Sequence, residues 1–487
     1  MVRKNSELGS VNGERGRKNL SPFTLHHSHF TPGVKRLVIA GTHSGVGKTT
    51  IASGLMAALA AKGHRVAPFK VGPDFIDPSY HSLAAGRPGR NLDAFLSGPE
   101  MIGPLFAHGS RGTDIAVIEG VMGLFDGKSG DGELASTAHV AKLLGAPVVL
   151  VVDARAMARS AAAMVHGYLT FDRKVNVAGV VLNRVGSAVH ESMLREAIEP
   201  LGVPVLGVLR RDAGVETPGR HLGLIPASER ASEARDSIRR TGEIIACSLD
   251  LDAVMRLAAS AEPSRTEPWS PEAPEEERVE YVRVAIAAGP SFSFLYRENL
   301  ELLEGAGAEI AAFDPTSDEN LPSDTDALYL GGGFPETHAE ALSANEPLKE
   351  EVRAFARSGR PVVAECGGLL YLCRELDGHP MCGVLDAGAR MTERLKLGYR
   401  EARALSASPL GQAGITVRGH EFHYSSVEPG AGSAPAWNLA ERGPEGFVSG
   451  GVHASYLHLH WEATPKMPRR LVRQAAQMRT KPVGARA

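Results

Sequence analysis

Two short segments combine residue types and spacings that can do chemistry. The first is Gly41-Thr-His-Ser-Gly-Val-Gly-Lys-Thr-Thr50, directly after the apolar run Arg36-Leu-Val-Ile-Ala40. Glycines let successive backbone N–H groups turn inward on phosphate oxygens, a lysine adds a point charge, and a threonine hydroxyl can reach Mg²⁺ where a helix begins. Gly41, Thr42, Gly45, Gly47, Lys48, Thr49 and Thr50 are therefore the expected nucleotide contacts. Five residues separate Gly41 from Gly47, one more than a strict phosphate loop has. The second segment, Ala364-Glu-Cys366-Gly-Gly-Leu-Leu370, puts a cysteine at the end of an apolar run and before a helical pattern, as a nucleophile elbow requires. A helix N-terminus there favours thiolate over thiol. The late run Gly451-Val-His-Ala-Ser-Tyr-Leu-His-Leu-His460 supplies a base, but His458 and His460 share a face in period-two alternation, so spacing does not choose between them.

Carboxylates placed at neighbouring strand ends would turn phosphate binding into catalysis. Lys70-Val-Gly-Pro-Asp74-Phe-Ile-Asp77 follows a strand-like run, and Glu119-Gly-Val-Met-Gly-Leu-Phe-Asp126 follows another. Such positions border the crevice where open α/β sheets bind ligands, and Mg²⁺ takes one or two carboxylates beside phosphates and water. Asp74 and Glu119, with Thr49, are the expected metal ligands.

The elements that must hold these residues alternate between short, continuously apolar runs and helical patterns. The fold class is α/β: a P-loop domain with a mainly parallel sheet covered on both faces, then a second α/β domain. The expected boundaries are a disordered tail over 1–34, the P-loop domain over 35–260, a proline- and acid-rich linker over 261–280, the second domain over 281–470 and a tail over 471–487.

The 487 residues carry a net charge of −3, with charges of both signs interspersed, which argues against nucleic-acid or membrane-surface binding. No apolar run has the length of a transmembrane span. Four cysteines are too few for a disulfide framework, so a reducing, cytoplasmic setting is expected. Cys366, Cys373 and Cys382 lack zinc-ligand spacing. In the apparent strand 415–427, His420 and His423 are an odd number apart and should face opposite ways, which argues against a shared metal.

Taken together, the phosphate loop, Val71-Gly-Pro-Asp-Phe-Ile-Asp-Pro, Glu119-Gly-Val-Met-Gly-Leu-Phe-Asp-Gly, Arg90-Asn-Leu-Asp93, Ser136-Thr-Ala138, Leu182-Asn-Arg184 and Arg220-His-Leu-Gly-Leu224 resemble the a,c-diamide synthases of corrinoid biosynthesis. The first domain is also similar to dethiobiotin synthetase, whose phosphate loop has the same longer spacing. The second resembles the class I glutamine amidotransferases. The resemblance implies a C–N ligase in which ATP and Mg²⁺ activate carboxylates a and c of a corrin acid as acyl phosphates, and ammonia from glutamine displaces the phosphate. It further implies Cys366 as nucleophile, His458 as base, N–H groups of Gly332, Gly333 and Gly367 at the oxyanion, and Asp77, Tyr80 and Asp126 in the substrate cleft. In the usual amidotransferase pattern a glycine stands at Ala364 and a glutamate at His460, so the resemblance does not identify the orienting third member and a Cys-His dyad is the expectation here. The corrin acid, cobyrinate or hydrogenobyrinate, and a nickel sirohydrochlorin all remain open as acceptor, as does a non-enzymatic ATP switch. Oligomeric state is not legible; a homodimer is one assembly the sequence allows.

Overall fold

The computed structural model describes residues 33–211, 219–220, 223–224, 231–264, 266–440 and 442–479. Most of the expected N-terminal tail, and much of the Arg220–Leu224 motif, lie outside them.

The first sheet joins β1 (Lys35–Gly41), β2 (Val66–Val71), β3 (Arg90–Leu92), β4 (Ile115–Glu119), β5 (Val148–Asp153), β6 (Val177–Val185) and β7 (Val205–Arg210) in the order β3-β2-β4-β1-β5-β6-β7. Every pairing is parallel, and β1, β2 and β4 are buried along almost their whole length, as strands covered on both faces must be. Parallel pairing puts all C-terminal strand ends on one edge. The loops after β1, β2 and β4, adjacent in the sheet, therefore converge there and deliver Lys48 and Thr49, Asp77, and Glu119 to one crevice. The helix Lys48–Ala61 (α1) buries Ile51, Leu55 and Leu59 at helical spacing against this sheet.

A second sheet carries the elbow. Ala308–Phe313, Val282–Ala287, Ala327–Leu330, Val362–Glu365 and Val452–Ser455 run parallel in that order, and Phe447–Ser449 closes the edge antiparallel. A third sheet, not anticipated, is built on the long antiparallel pair Gly388–Ala404 and Thr416–Glu428. His458–Leu459 pairs with the second of these strands, opposite Gly419 and His420. Half-exposed positions interrupt the long pair, so its sequence alternates too weakly to reveal two strands of that length.

One expected boundary needs correction. The helix Lys466–Arg479 carries ordered structure well into the supposed tail 471–487, because Met467, Leu471, Val472 and Ala475 form an apolar stripe buried on the second domain. The segment 261–280 is extended but docked: Trp269 packs at 5.0 Å from His108 and donates its N–H to Pro104 O, while the Ala273 N–H reaches Gly305 O.

The two domains meet through charges taken out of water. Arg90 at the start of β3 donates to Glu298 Oε1 at 2.7 Å and to Glu301 at 2.5 and 3.0 Å; His108 Nε2 lies 2.9 Å from Glu301 Oε2. Burial raises the carboxyl pKa of Glu301, but hydrogen bonds from His108 and Arg90 overcome it and hold the group at about 2. Glu298 is likewise held below its ordinary range: burial opposes ionisation, and His460 and Arg90 prevail. Removing one partner of such a group leaves a buried charge without compensation, so Arg90→Ala should lower unfolding free energy by about 3 kcal/mol in denaturant titration. A loss under about 1 kcal/mol, the value of an exposed pair, would contradict this. Because both carboxyls have depressed pKa values in the folded state, their contribution is complete above the unfolded carboxylate pKa and disappears as pH falls toward 2. The difference between wild type and Arg90→Ala should therefore shrink on acidification.

Candidate active sites

At the first site the chain turns sharply after β1. Gly47 has φ 100° and stands where α1 begins; a Cβ there would lie 2.4 Å from Asn183 Nδ2. Only glycine satisfies both conditions. Asn183 donates to Val46 O at 2.8 Å and Arg184 donates to Gly45 O at 2.9 Å, so the end of β6 braces the phosphate loop. Tyr168 donates to Thr42 O at 2.5 Å from the other side. Lys48 Nζ lies on Met122 O at 2.5 Å, and burial followed by repulsion from Lys70 lowers its pKa to about 8. An anion entering the loop would raise it again.

Beneath the loop lies a buried ionic cluster. Glu119 is fully buried; its Oε1 accepts from Thr49 Oγ1 at 2.6 Å and Lys70 Nζ at 2.9 Å, and its Oε2 lies 2.6 Å from His81 Nε2. Lys70 also pairs with Asp77 at 2.6 Å, and Thr49 Oγ1 reaches Asp77 Oδ2 at 3.4 Å. Burial disfavours ionised Glu119, yet Lys70 and His81 hold its pKa well below the carboxylate range.

The sequence placed Asp74 with the metal and Asp77 with the substrate, but Asp77 is the one beside Thr49. Asp74 Oδ1 instead accepts the Ile76 N–H at 2.7 Å and the Asp77 N–H at 3.4 Å, an Asx turn that starts helix Ile76–Ala85 (α2). Burial, then the charge of Asp77, push Asp74 up to about 7. Tyr80, expected in the cleft, is 2 % exposed: it shares the inner stripe of α2 with Ile76 and Ala84. Asp126 accepts the Gly123 N–H at 3.0 Å and shapes the loop after β4.

At the second site Cys366 has φ 48° and ψ −98°, a strained backbone characteristic of an elbow, and its N–H is anchored on Ser455 O at 2.8 Å. The thiol is not poised as thiolate. Burial, then the neighbouring Glu336 carboxylate, push its pKa upward and outweigh the Gly367 N–H. The following helix, Gly367–Leu372, is too short to offset them.

The structure separates the two histidines that spacing left equivalent. His458 turns inward: a Cβ on Gly332 would fall 2.4 Å from its Cε1, and a Cβ on Gly367 would fall 3.4 Å from Gly332 C. Gly332 therefore admits the imidazole next to the elbow. Its own N–H goes to Phe294 O at 3.2 Å, which removes it from the expected oxyanion donors and leaves Gly333 and Gly367. His458 and Cys366 are not hydrogen-bonded, and neither ring nitrogen of His458 has a hydrogen-bond partner. Burial, then His420 and His423, hold its pKa well below the ordinary value, which keeps the imidazole neutral. His460 faces the domain interface, 3.4 Å from Ser97 Oγ and 3.5 Å from Glu298.

His420 and His423 also part. His420 stacks on His458 at 4.9 Å and lies 2.9 Å from the Tyr296 hydroxyl, which donates to Pro73 O; His423 stacks on Tyr456 at 3.7 Å. Between the sites stands Phe75, flanked in sequence by Asp74 and Ile76. Its ring centroid is 5.1 Å from Phe294, 4.5 Å from Tyr296 and 5.1 Å from His458. Sequence reasoning assigned nothing to Phe75, Lys70, His81, Asn183 or Tyr168. For Lys70 a signal existed: a lysine ending a continuously apolar strand must find carboxylates. For Phe75 none did, because its partners are more than two hundred residues away.

Among the described residues no helix is long and apolar enough to cross a membrane. Residues 37–225 match the CobQ/CobB/MinD/ParA nucleotide binding domain, and residues 283–466 match the CobB/CobQ-like glutamine amidotransferase domain. The chain is 56% identical over 474 residues to the hydrogenobyrinate a,c-diamide synthase of Streptomyces coelicolor, covering 90% of this chain and 97% of that one. It is 52% identical over 452 residues to the hydrogenobyrinate a,c-diamide synthase of Mycobacterium tuberculosis, covering 91% and 98%. Against the cobyrinate a,c-diamide synthase of Dehalococcoides mccartyi it is 42% identical over 453 residues, covering 90% and 97%. An amidotransferase domain beside the nucleotide-binding domain excludes a bare ATP switch. The chain thus belongs to the a,c-diamide synthase family, C–N bond-forming ligases that take their nitrogen from glutamine.

Proposed function

We propose that the chain amidates the a and c carboxylates of hydrogenobyrinate, with one ATP and one glutamine consumed per amide. The acceptor rests on the relatives: those named for hydrogenobyrinate are 50–56% identical, those named for cobyrinate 42–44%. The observation that carries the two-step chemistry is the proximity of the sites, since Phe75 lies two residues from Asp77 and its ring packs on His458.

In the first site a substrate carboxylate oxygen attacks the γ-phosphorus of ATP, ADP leaves, and the resulting acyl phosphate is attacked by ammonia with loss of phosphate and a proton. The loop N–H groups and Lys48 balance phosphate charge, and Asn183 and Arg184 keep the loop in shape. Thr49, Asp77 and Glu119 present hard oxygens at one point, which fits Mg²⁺; when bound it would neutralise charge on the transferring phosphate. Lys70 and His81 orient Glu119. In the second site Cys366 attacks the glutamine amide carbon, His458 takes the thiol proton and gives it to the departing ammonia, water activated by the same imidazole then hydrolyses the thioester to glutamate and the free thiol, and Gly333 and Gly367 offer N–H groups to the oxyanion. A protected route matters because ammonium, the dominant form in neutral water, has no free electron pair.

Mass spectrometry after incubation with ATP, glutamine and either hydrogenobyrinate or cobyrinate tests the acceptor: diamide from hydrogenobyrinate is expected, and faster turnover of cobyrinate would overturn that assignment. Lys48→Ala should cut amide formation by about a hundredfold or more while glutaminase persists, because the second site has its own nucleophile. Equal loss of both activities in a folded variant would refute separate sites. Cys366→Ser should make no diamide with glutamine yet make it from ammonium, increasingly as pH rises and more ammonia is unprotonated. His458→Ala should behave alike, and His460→Ala should keep more glutamine-dependent activity; a larger loss at His460 would reverse the choice of base.

A further inference from the structure

The residue two positions after the base, a glutamate in the usual class I pattern, is His460 here, and His460 is turned away to Ser97 and Glu298. A neutral imidazole that must accept a proton at one nitrogen is held in tautomer and orientation by a group at the other. We propose that Glu365, the residue immediately before the nucleophile, supplies that group: it is the carboxylate that positions His458.

Three observations converge on it. Glu365 Oε2 lies 3.9 Å from His458 Nδ1, with both side chains buried. Both are also incompletely satisfied: neither His458 nitrogen nor Glu365 Oε1 has a hydrogen-bond partner, a rare condition for buried polar atoms. The other surroundings of the carboxyl fix it in place and supply no counter-charge. Tyr329 donates its hydroxyl to Oε2 at 3.2 Å, the Leu459 N–H points at the carboxyl, and Asn299 braces both through Tyr329 OH at 3.3 Å and Leu459 O at 2.9 Å.

The energetics agree with the geometry. Burial raises Glu365 to about 8 and depresses His458, because each charged form lacks a counter-charge in the resting protein. Near neutral pH the resting carboxyl is therefore mostly protonated; once its proton has left to solvent, the carboxylate is the partner that the imidazolium lacks when His458 takes the Cys366 proton, and the imidazolium is the cation that holds Glu365 ionised. A closure of about 1 Å between Nδ1 and Oε2 makes an ordinary charge-assisted hydrogen bond. Position along the chain adds a constraint: Glu365 ends the strand whose next residue is Cys366, so the elbow places nucleophile and orienting group together.

This rests on His458 being the base. The test compares Glu365→Gln, Glu365→Asp and His458→Ala in the full chain, with ammonium-dependent diamide formation as the control for an intact fold and first site. Glu365→Gln should lower glutaminase kcat by about a hundredfold with the KM for glutamine changed less than about threefold. Alkylation of Cys366 by 6-diazo-5-oxo-norleucine should slow in parallel. Glu365→Asp, which keeps the charge one methylene farther away, should lose less than Glu365→Gln. Full glutaminase in His458→Ala would overturn the proposal together with the base assignment. An inactive His458→Ala alongside a Glu365→Gln within about threefold of wild type would overturn the proposal alone, as would a greater loss in Glu365→Asp, the signature of a packing role.

Discussion

The carboxylate of Glu119 has no contact with water, and a charge so placed must be paired or it will not persist. Much of the first domain follows from that requirement. Lys70, Thr49 and His81 each come from a different element and each must end within hydrogen-bond distance of the same two oxygens. Meeting that condition locks the end of β2, the first turn of α1 and the inner face of α2 to the end of β4. The helix that follows the phosphate loop starts on this cluster, and Lys70 holds Asp77 beside Thr49. A hydrophobic substitute at Glu119 could pack, but it would leave Lys70 buried with Asp77 as its one direct ion-pair partner and remove an oxygen from the nucleotide crevice.

The same segment extends the constraint to the second site. Asp74 caps α2, Asp77 pairs with Lys70, and Phe75 between them must project the other way, into Phe294, Tyr296, His420 and His458. The loop that presents Asp77 to the first site is thus the loop that places the Phe75 ring against His458. Arg90 with Glu298 and Glu301 holds the surfaces on either side in register, so this one aromatic contact is not free to drift.

What the sequence revealed and what it hid divide along contact distance. The phosphate loop, the elbow and the parallel order of the apolar runs depend on residues near in sequence, where glycine, lysine and cysteine carry meaning by type and spacing. The exchange of place between Asp74 and Asp77 depends on a local turn that composition does not resolve, since either aspartate can cap a helix. Tyr80 has a hydroxyl and a helical position that suit a cleft or a core, and only the direction of α2 decides. The third sheet, and with it the separation of His458 from His460, arises from pairing between strands whose alternation is interrupted. In that pairing His458 lies opposite His420, a partner no spacing rule connects to it.

The absence of a glutamate at position 460 reads, in one dimension, as a triad lost. In three dimensions the position has been given to the domain interface, where His460 helps hold Glu298 ionised opposite Arg90. A catalytic histidine without an orienting group would sample both tautomers and several ring angles, and only a fraction of encounters with the thiol would be productive. The elbow offers a compact alternative, because its strain already fixes the backbone of Cys366 and its preceding residue is the nearest anchored carboxyl to the imidazole. Placing the orienting group on the nucleophile's own strand frees the histidine's strand to serve the other domain. In a chain whose two chemistries must share ammonia, that division lets the interface and the catalytic base be specified by different residues of one short segment.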